Sequence, residues 1–285
     1  MNTLKTAILL ALLTAILVVG GGALMGRNGL YTGLCFAAVM NFAAYFFSER
    51  IALMSYSARP VTPAENIAVY RRVQPIVARL CQRMKLPMPR LWVIPRDSPN
   101  AFATGRNPSH ASLALTAGIL QVMDDRELEG VIAHELGHVL HRDILIGSVA
   151  AMLAGTITML ASMARWGMMF GGLSRGDDED RGGGVLVELL MILLAPLAAA
   201  LIQAAISRSR EYDADAASAR YTGAPYELIS GLRKLEAYSK RIPMDASPAT
   251  AHMFIVKPFT GSAVMNLFSS HPPTADRIAR LQAIR

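Results

Sequence analysis

Charge is scarce in this chain of 285 residues: Asp, Glu, Lys and Arg make up 17% and hydrophobic types 53%, a balance that favours a small domain joined to membrane segments over a single soluble domain. Cysteine is scarcer. Cys35 lies in an apolar run and Cys81 in a polar region, so no disulfide is expected. The net charge of +7 is spread without a dense basic cluster or interleaved aromatics. Nucleic acid is therefore not an expected partner, and membrane orientation is the expected use of the excess. No internal repeat is present. No A-x-A-like site closes the first apolar run, which is expected to stay as an anchor rather than leave as a signal peptide.

What is abundant is apolar sequence in blocks. Residues 4–25, 30–47, 144–164 and 185–206 each approach or exceed about 18 residues with almost no charge, the length of a membrane-spanning helix. Four spans follow, with a buried hairpin as the competing reading of the later pair. The chain then divides into two N-terminal transmembrane helices (1–48), a polar part (49–143), a transmembrane pair with a polar loop (144–206) and a second polar part (207–285). An even number of spans puts both polar parts on one side. Lys5, Arg50, Arg59, Arg142, Arg208 and Arg210 lie near the span ends on that side and point it to the cytoplasm.

Within the polar parts, the periodicity predicts helices over 64–84, 125–142, 225–239 and 274–284, and another continuing the fourth run over 205–220 to a stop at Gly223-Ala224-Pro225. Strand-like composition at 91–94, 101–104 and 112–116, with Gly105-Arg106-Asn107-Pro108 between the last two, predicts a small sheet with one hairpin. Asp124 and Glu127 make a capping box for the 125–142 helix. That helix is expected to lead straight into the third apolar run.

His134-Glu135-Leu136-Gly137-His138 lies on this helix, where residues four apart share a face. Two imidazoles there can bind one zinc ion, and Glu135 can act as general base toward its water. The bland reading makes the histidines ordinary polar-face residues. His141 is misplaced for a third histidine ligand of the longer metzincin pattern, so a separate glutamate is the natural third ligand. Glu179 and Glu188 fall on or near the far side of the membrane. Of Glu211, Glu227 and Glu236, only Glu211 begins a helix close to the bilayer. His138 is six residues before Ile144 and Glu211 five after Ile206; if both helices are continuous, each stands about 8–9 Å from its membrane edge. Asp215, one turn after Glu211, is placed to orient a ligating histidine, with Arg210 as a competing partner.

These motifs, together with Glu211-Tyr212-Asp213-Ala214-Asp215, Ser269-Ser270-His271-Pro272-Pro273-Thr274 and Asn100-Ala101-Phe102-Ala103-Thr104-Gly105, resemble the HtpX-type integral-membrane zinc metalloproteases, relatives of the CAAX prenyl endopeptidases. The likeness covers essentially the whole chain. It implies a mainly α membrane protein with four transmembrane helices and a gluzincin-like cytoplasmic α+β protease domain. It implies one zinc ion at His134, His138 and Glu211, and a role in bacterial inner-membrane quality control under stress. Asp215 matches the family's E-x-x-x-D pattern. His271 matches its H-P-P segment, as an oxyanion or cleft-ordering residue or as a plain helix-start residue. Asn100 to Thr104 resembles the family's edge strand, to which an extended substrate adds by main-chain hydrogen bonds; Phe102 is equally readable as core. Ala103→Pro is then expected to raise the Michaelis constant.

The function expected is zinc-dependent endoproteolysis of misfolded or membrane-embedded proteins, with the lipid bilayer as the other partner. The competing class is a membrane scaffold or chaperone-like adaptor with a structural zinc site, against which the intact Glu135 argues.

Overall fold

The computed structural model describes residues 2–147, 149–150, 153, 208–239, 241–242, 255 and 272–284. Helix α1 (Asn2–Phe46) is two apolar helices joined at Gly26, whose φ of 60° and ψ of −141° are not helical and suit a residue without a Cβ. The stretches Leu4–Gly22 and Gly26–Phe46 are each long and apolar enough to cross a membrane, in line with the first two apolar runs.

Glycine lets the two helices meet backbone to backbone. A Cβ on Gly21 would sit 2.3 Å from the Gly29 carbonyl oxygen, and one on Gly33 2.5 Å from that of Leu17. Asn41 Nδ2 donates to Thr14 Oγ1 at 2.8 Å across the same hairpin. Leu4, Val19, Val39 and Phe42 face outward and are each more than half exposed, as side chains meant for lipid would be. The described start of the third apolar run packs here: Ile146, Val149, Ala150 and Leu153 join Leu9, Leu13 and Leu17. The rest of that run, the 165–184 loop, the fourth run and His271 lie outside the described residues.

A short helix α2 (Ser48–Ser55) leads from the apolar hairpin to β1 (Arg59–Pro60) and to α3 (Ile67–Met84). Strands β2 (Arg90–Ile94), β3 (Ala101–Gly105) and β4 (Ala111–Thr116) complete a four-stranded sheet in the order β1-β2-β4-β3. The expected hairpin is β3–β4, antiparallel with Ala103 opposite Leu113, while β2 and β4 run parallel. That order leaves β3 at an edge. Strand β1 had no sequence signature, because two residues are too few to show a period of two.

After α4 (Ala117–Val122), helix α5 (Asp125–Leu140) starts with the predicted capping box: Asp124 accepts from the Arg126 and Glu127 N–H groups, and Glu127 Oε2 accepts from Asp124 N. Its Leu128, Val131, Ile132 and Leu136 are fully buried among side chains of α3, the sheet and the C-terminal helices. Three of those follow: α6 (Arg208–Thr222), α7 (Pro225–Ser239) and α8 (Thr274–Gln282). Gly223, at φ 78°, closes α6 at the predicted stop.

One expectation is corrected. Helix α5 does not lead straight into the third run: Arg142 takes a left-handed φ of 58°, and Asp143 N donates back to His138 O at 2.9 Å. A left-handed residue satisfies the open carbonyls of a last helical turn, and the chain re-enters a helix only at Ile144.

Candidate functional site

Helix α5 carries His134, Glu135 and His138 into the interior, and α6 presents Glu211 and Asp215 to it. The two helices nearly touch: a Cβ on Gly137 would lie 3.1 Å from Ala214 Cα. Glycine inside the H-E-x-x-H sequence therefore has a packing reason, since a larger residue would push Glu211 away from the histidines.

His134 Nε2 lies 3.7 Å from Glu211 Oε2, and His138 Nε2 lies 3.6 Å from Glu211 Oε1. Donor atoms of the three residues fall within 4.8 Å of one another. Metal–ligand bonds of about 2.0–2.2 Å in a tetrahedron put donors roughly 3.3–3.6 Å apart. Two imidazoles and a carboxylate at these separations fit a divalent ion such as zinc and leave one position open.

The outward nitrogens are held by carboxylates. His134 Nδ1 is 2.9 Å from Asp215 Oδ1 and His138 Nδ1 is 3.4 Å from Asp143 Oδ2, so each Nδ1–H donates outward and each Nε2 offers its lone pair to the centre. Asp215 stands where the sequence put it. Its partner is not Arg210 but Arg277 of α8, whose Nε and Nη2 donate to the two carboxylate oxygens at 2.9 and 2.6 Å. Removing one partner of such a buried pair costs about 3–5 kcal/mol. Sequence reasoning missed Arg277; the available signal was an arginine four residues before Leu281, on the face that α8 buries.

Burial and charge act differently on neighbouring groups. Burial, helped by Arg277 and opposed by Asp215, lowers the His134 imidazole to about 4 and keeps it in the neutral, ligating form. Burial would also lower His138, but the Asp143 hydrogen bond and the Glu211 and Glu135 charges outweigh it and hold the group up at about 9. Burial pushes the Glu135 carboxyl up to about 8 against the pull of His138. A divalent ion nearby would draw both back down.

The edge strand meets this cluster directly. Ala103 N donates to Glu135 Oε2 at 2.9 Å, so the expected effect of Ala103→Pro is corrected: the donor it removes already holds Glu135. Residues Asn100, Ala101, Phe102 and Thr104 are all buried. Phe102 is core, with its ring 6.0 Å from that of Tyr56. Along the outward side of β3, Ala103 N already donates to Glu135 and Ala101 O already accepts from Ile255 N.

Known proteins resemble the chain over most or all of its length. The model of peptidase family M48 matches residues 68–285. A protease HtpX homologue of Desulforapulum autotrophicum is 53% identical over 281 residues, covering 99% of this chain and 89% of that protein. One of Thermococcus kodakarensis is 50% identical over 282 residues, covering 99% and 95%. Among solved structures, Ste24p of S. mikatae aligns over 98% of this chain with a TM-score of 0.54 and 18% identity. The chain spans 64% of the length of Ste24p, and the likeness is one of fold.

Proposed function

Because the chain belongs to peptidase family M48, and is on that ground a membrane-bound metalloprotease, we propose that it hydrolyses protein substrates with zinc held by His134, His138 and Glu211 and with Glu135 as general base. The observation that carries this reading is the convergence of these three donor groups within 4.8 Å, beside a buried carboxylate on the same helix. Zinc bound there supplies Lewis acidity toward the scissile carbonyl and lowers the pKa of water to about 7.

The chain's own groups do the rest. Glu135 takes the proton of the attacking water and returns it to the departing amine. The Ala103 N–H, bonded to Oε2, holds that carboxylate in place between the two transfers. Asp215 and Asp143 fix the tautomers of His134 and His138. An extended substrate pairs along the outward side of β3 next to Ala101 and Ala103, whose O and N are already held by Ile255 and Glu135, a mode that tolerates many sequences and suits misfolded or membrane-embedded proteins. For His271, outside the described residues, the resemblance leaves oxyanion stabilisation, ordering of the cleft and a plain helix-start role open.

In the same reading the chain spans a bacterial inner membrane four times, with 49–143 and 207–285 forming one cytoplasmic protease domain and 1–48 and 144–206 the membrane pairs. Reporter fusions at residues 60 and 175 should report opposite sides; the same side for both would remove the four-span layout. The adaptor alternative is not favoured: membership of a peptidase family argues for catalysis, and the cluster offers three protein donors among the described residues.

The direct test uses detergent-purified protein and an unfolded model protein as substrate. Stripping the metal with a chelator should abolish hydrolysis and returning zinc alone should restore it. Hydrolysis that persists through stripping would overturn the reading.

A further inference from the structure

The mechanism leaves Arg277 without a task, yet this side chain heads the largest fully buried ones among the described residues and is 1% exposed. A guanidinium out of water persists only when its charge and donors are matched. Its partners lie in two directions. Toward the candidate metal site, Nε and Nη2 donate to Asp215, and Asp215 Oδ1 also lies 2.9 Å from His134 Nδ1. Nη2 itself comes within 3.3 Å of that ring nitrogen. Toward the sheet, Nη1 donates to the Ile255 carbonyl at 3.0 Å, and Ile255 N donates to Ala101 O at 3.3 Å on the outward side of β3.

We propose that Arg277 is a positioning residue that sets two geometries at once: the Asp215–His134 contact that aims His134 at the metal, and, through Ile255, the seat of the substrate-pairing edge strand. The links close a ring, because β3 returns to the site through the Ala103–Glu135 hydrogen bond. Charge balance points the same way. Four carboxylates, Glu135, Glu211, Asp215 and Asp143, are answered by a divalent ion and two guanidiniums, Arg277 beside Asp215 and Arg210 beside Asp143 and Glu211. A lysine would keep the charge but lose the planar fork that reaches Asp215 and Ile255 together.

The inference rests on the zinc-peptidase reading, so its test separates the two. Zinc affinity, measured by competition with a chelating dye, is read beside peptide kinetics and thermal unfolding. Arg277→Lys should weaken zinc binding by about tenfold or more, the low end of the 10–100-fold seen when a group behind a ligand is lost, and should raise KM. The double variant Arg277→Met with Asp215→Leu replaces a buried ion pair by apolar side chains, a change that is often neutral for folding. It should melt near the wild type yet bind zinc about 10–100-fold more weakly. Ile255→Pro removes the N–H to Ala101 together with a buried core side chain, and where thermal unfolding shows it folded it should raise KM with wild-type zinc affinity.

A double variant with wild-type stability, zinc affinity and KM would make the pair a mere structural bridge and overturn the proposal. If the double variant does not fold, Arg277→Lys with unchanged zinc affinity and KM overturns it equally. Zinc binding that survives His134→Ala would instead remove the site reading, and this inference with it.

Discussion

The apolar N-terminal hairpin and the α5–α6–α8 cluster solve opposite packing problems. In α1, glycines let two backbones touch, and the outward faces carry Leu4, Val19, Val39 and Phe42. Around α5, the interior holds Glu135, Glu211, Asp215 and Arg277, each no more than 3% exposed. The hairpin is a packing device in which shape matters and chemistry is generic. The cluster is a charge device, where each group is tolerable only because another answers it. Substitutions should therefore fail by different routes in the two regions.

The largest effect belongs to the cluster. Glu211→Ala should leave the protein folded but reduce bound zinc to background and abolish peptide hydrolysis, checked by metal analysis beside activity. Retention of zinc would break the contrast, because the cluster would then not depend on its own charges.

Ala103→Pro should come next. It deletes the donor that fixes Glu135, so the rate should fall by about tenfold or more through kcat, as expected when a general base is misplaced. A change in KM alone would mean that the N–H serves substrate rather than Glu135.

In the hairpin, Gly33→Ala places a methyl against the Leu17 carbonyl and should cost about 1–3 kcal/mol by overpacking, while Gly20→Ala, which meets nothing within 4 Å, should be neutral or gain up to about 1 kcal/mol. Unfolding of the two variants in the same detergent decides it; equal losses would mean that shape is not what the hairpin selects.

The smallest effect lies at the start of α5. Asp124→Ala should cost about 1 kcal/mol. The Glu127 and Arg126 N–H groups hold the Asp124 carboxyl below its usual range, so this stabilisation is present above the unfolded-state value of about 4 and is lost as pH falls through the folded-state value. Melting curves from pH 7 down to pH 3 should show wild type converging on the variant.

Much of this was legible in the sequence because it is local. The capping box, the period of α5, the hairpin turn and the two N-terminal apolar runs each need only a short window of residues. His134 and His138 share a face by helical spacing alone, and Glu211 followed from a count of residues to the membrane edge. The count assumed that α5 continued into the third run, and it does not: no glycine, asparagine or proline marks the left-handed Arg142. Glu211 still reaches the histidines because Gly137 lets α6 approach.

What stayed hidden depends on distant pairing. Arg277 meets Asp215 across 62 residues of chain, and Ile255 meets Ala101 from farther still. Only the four-residue spacing of Arg277 from Leu281 hints at a buried face, and the partners that make burial tolerable are distant in the chain. Strand β1 is held by its neighbour β2 rather than by any pattern of its own.

The most direct single measurement is hydrolysis of an unfolded model protein by zinc-loaded wild type and Glu135→Gln, with zinc determined in both. The expected result is about one zinc per chain in each, with the variant slower by about 10²–10⁴-fold, the contribution of a positioned general base. A variant that keeps its zinc and hydrolyses at the wild-type rate would contradict the assignment of Glu135 and with it the proposed chemistry of the site.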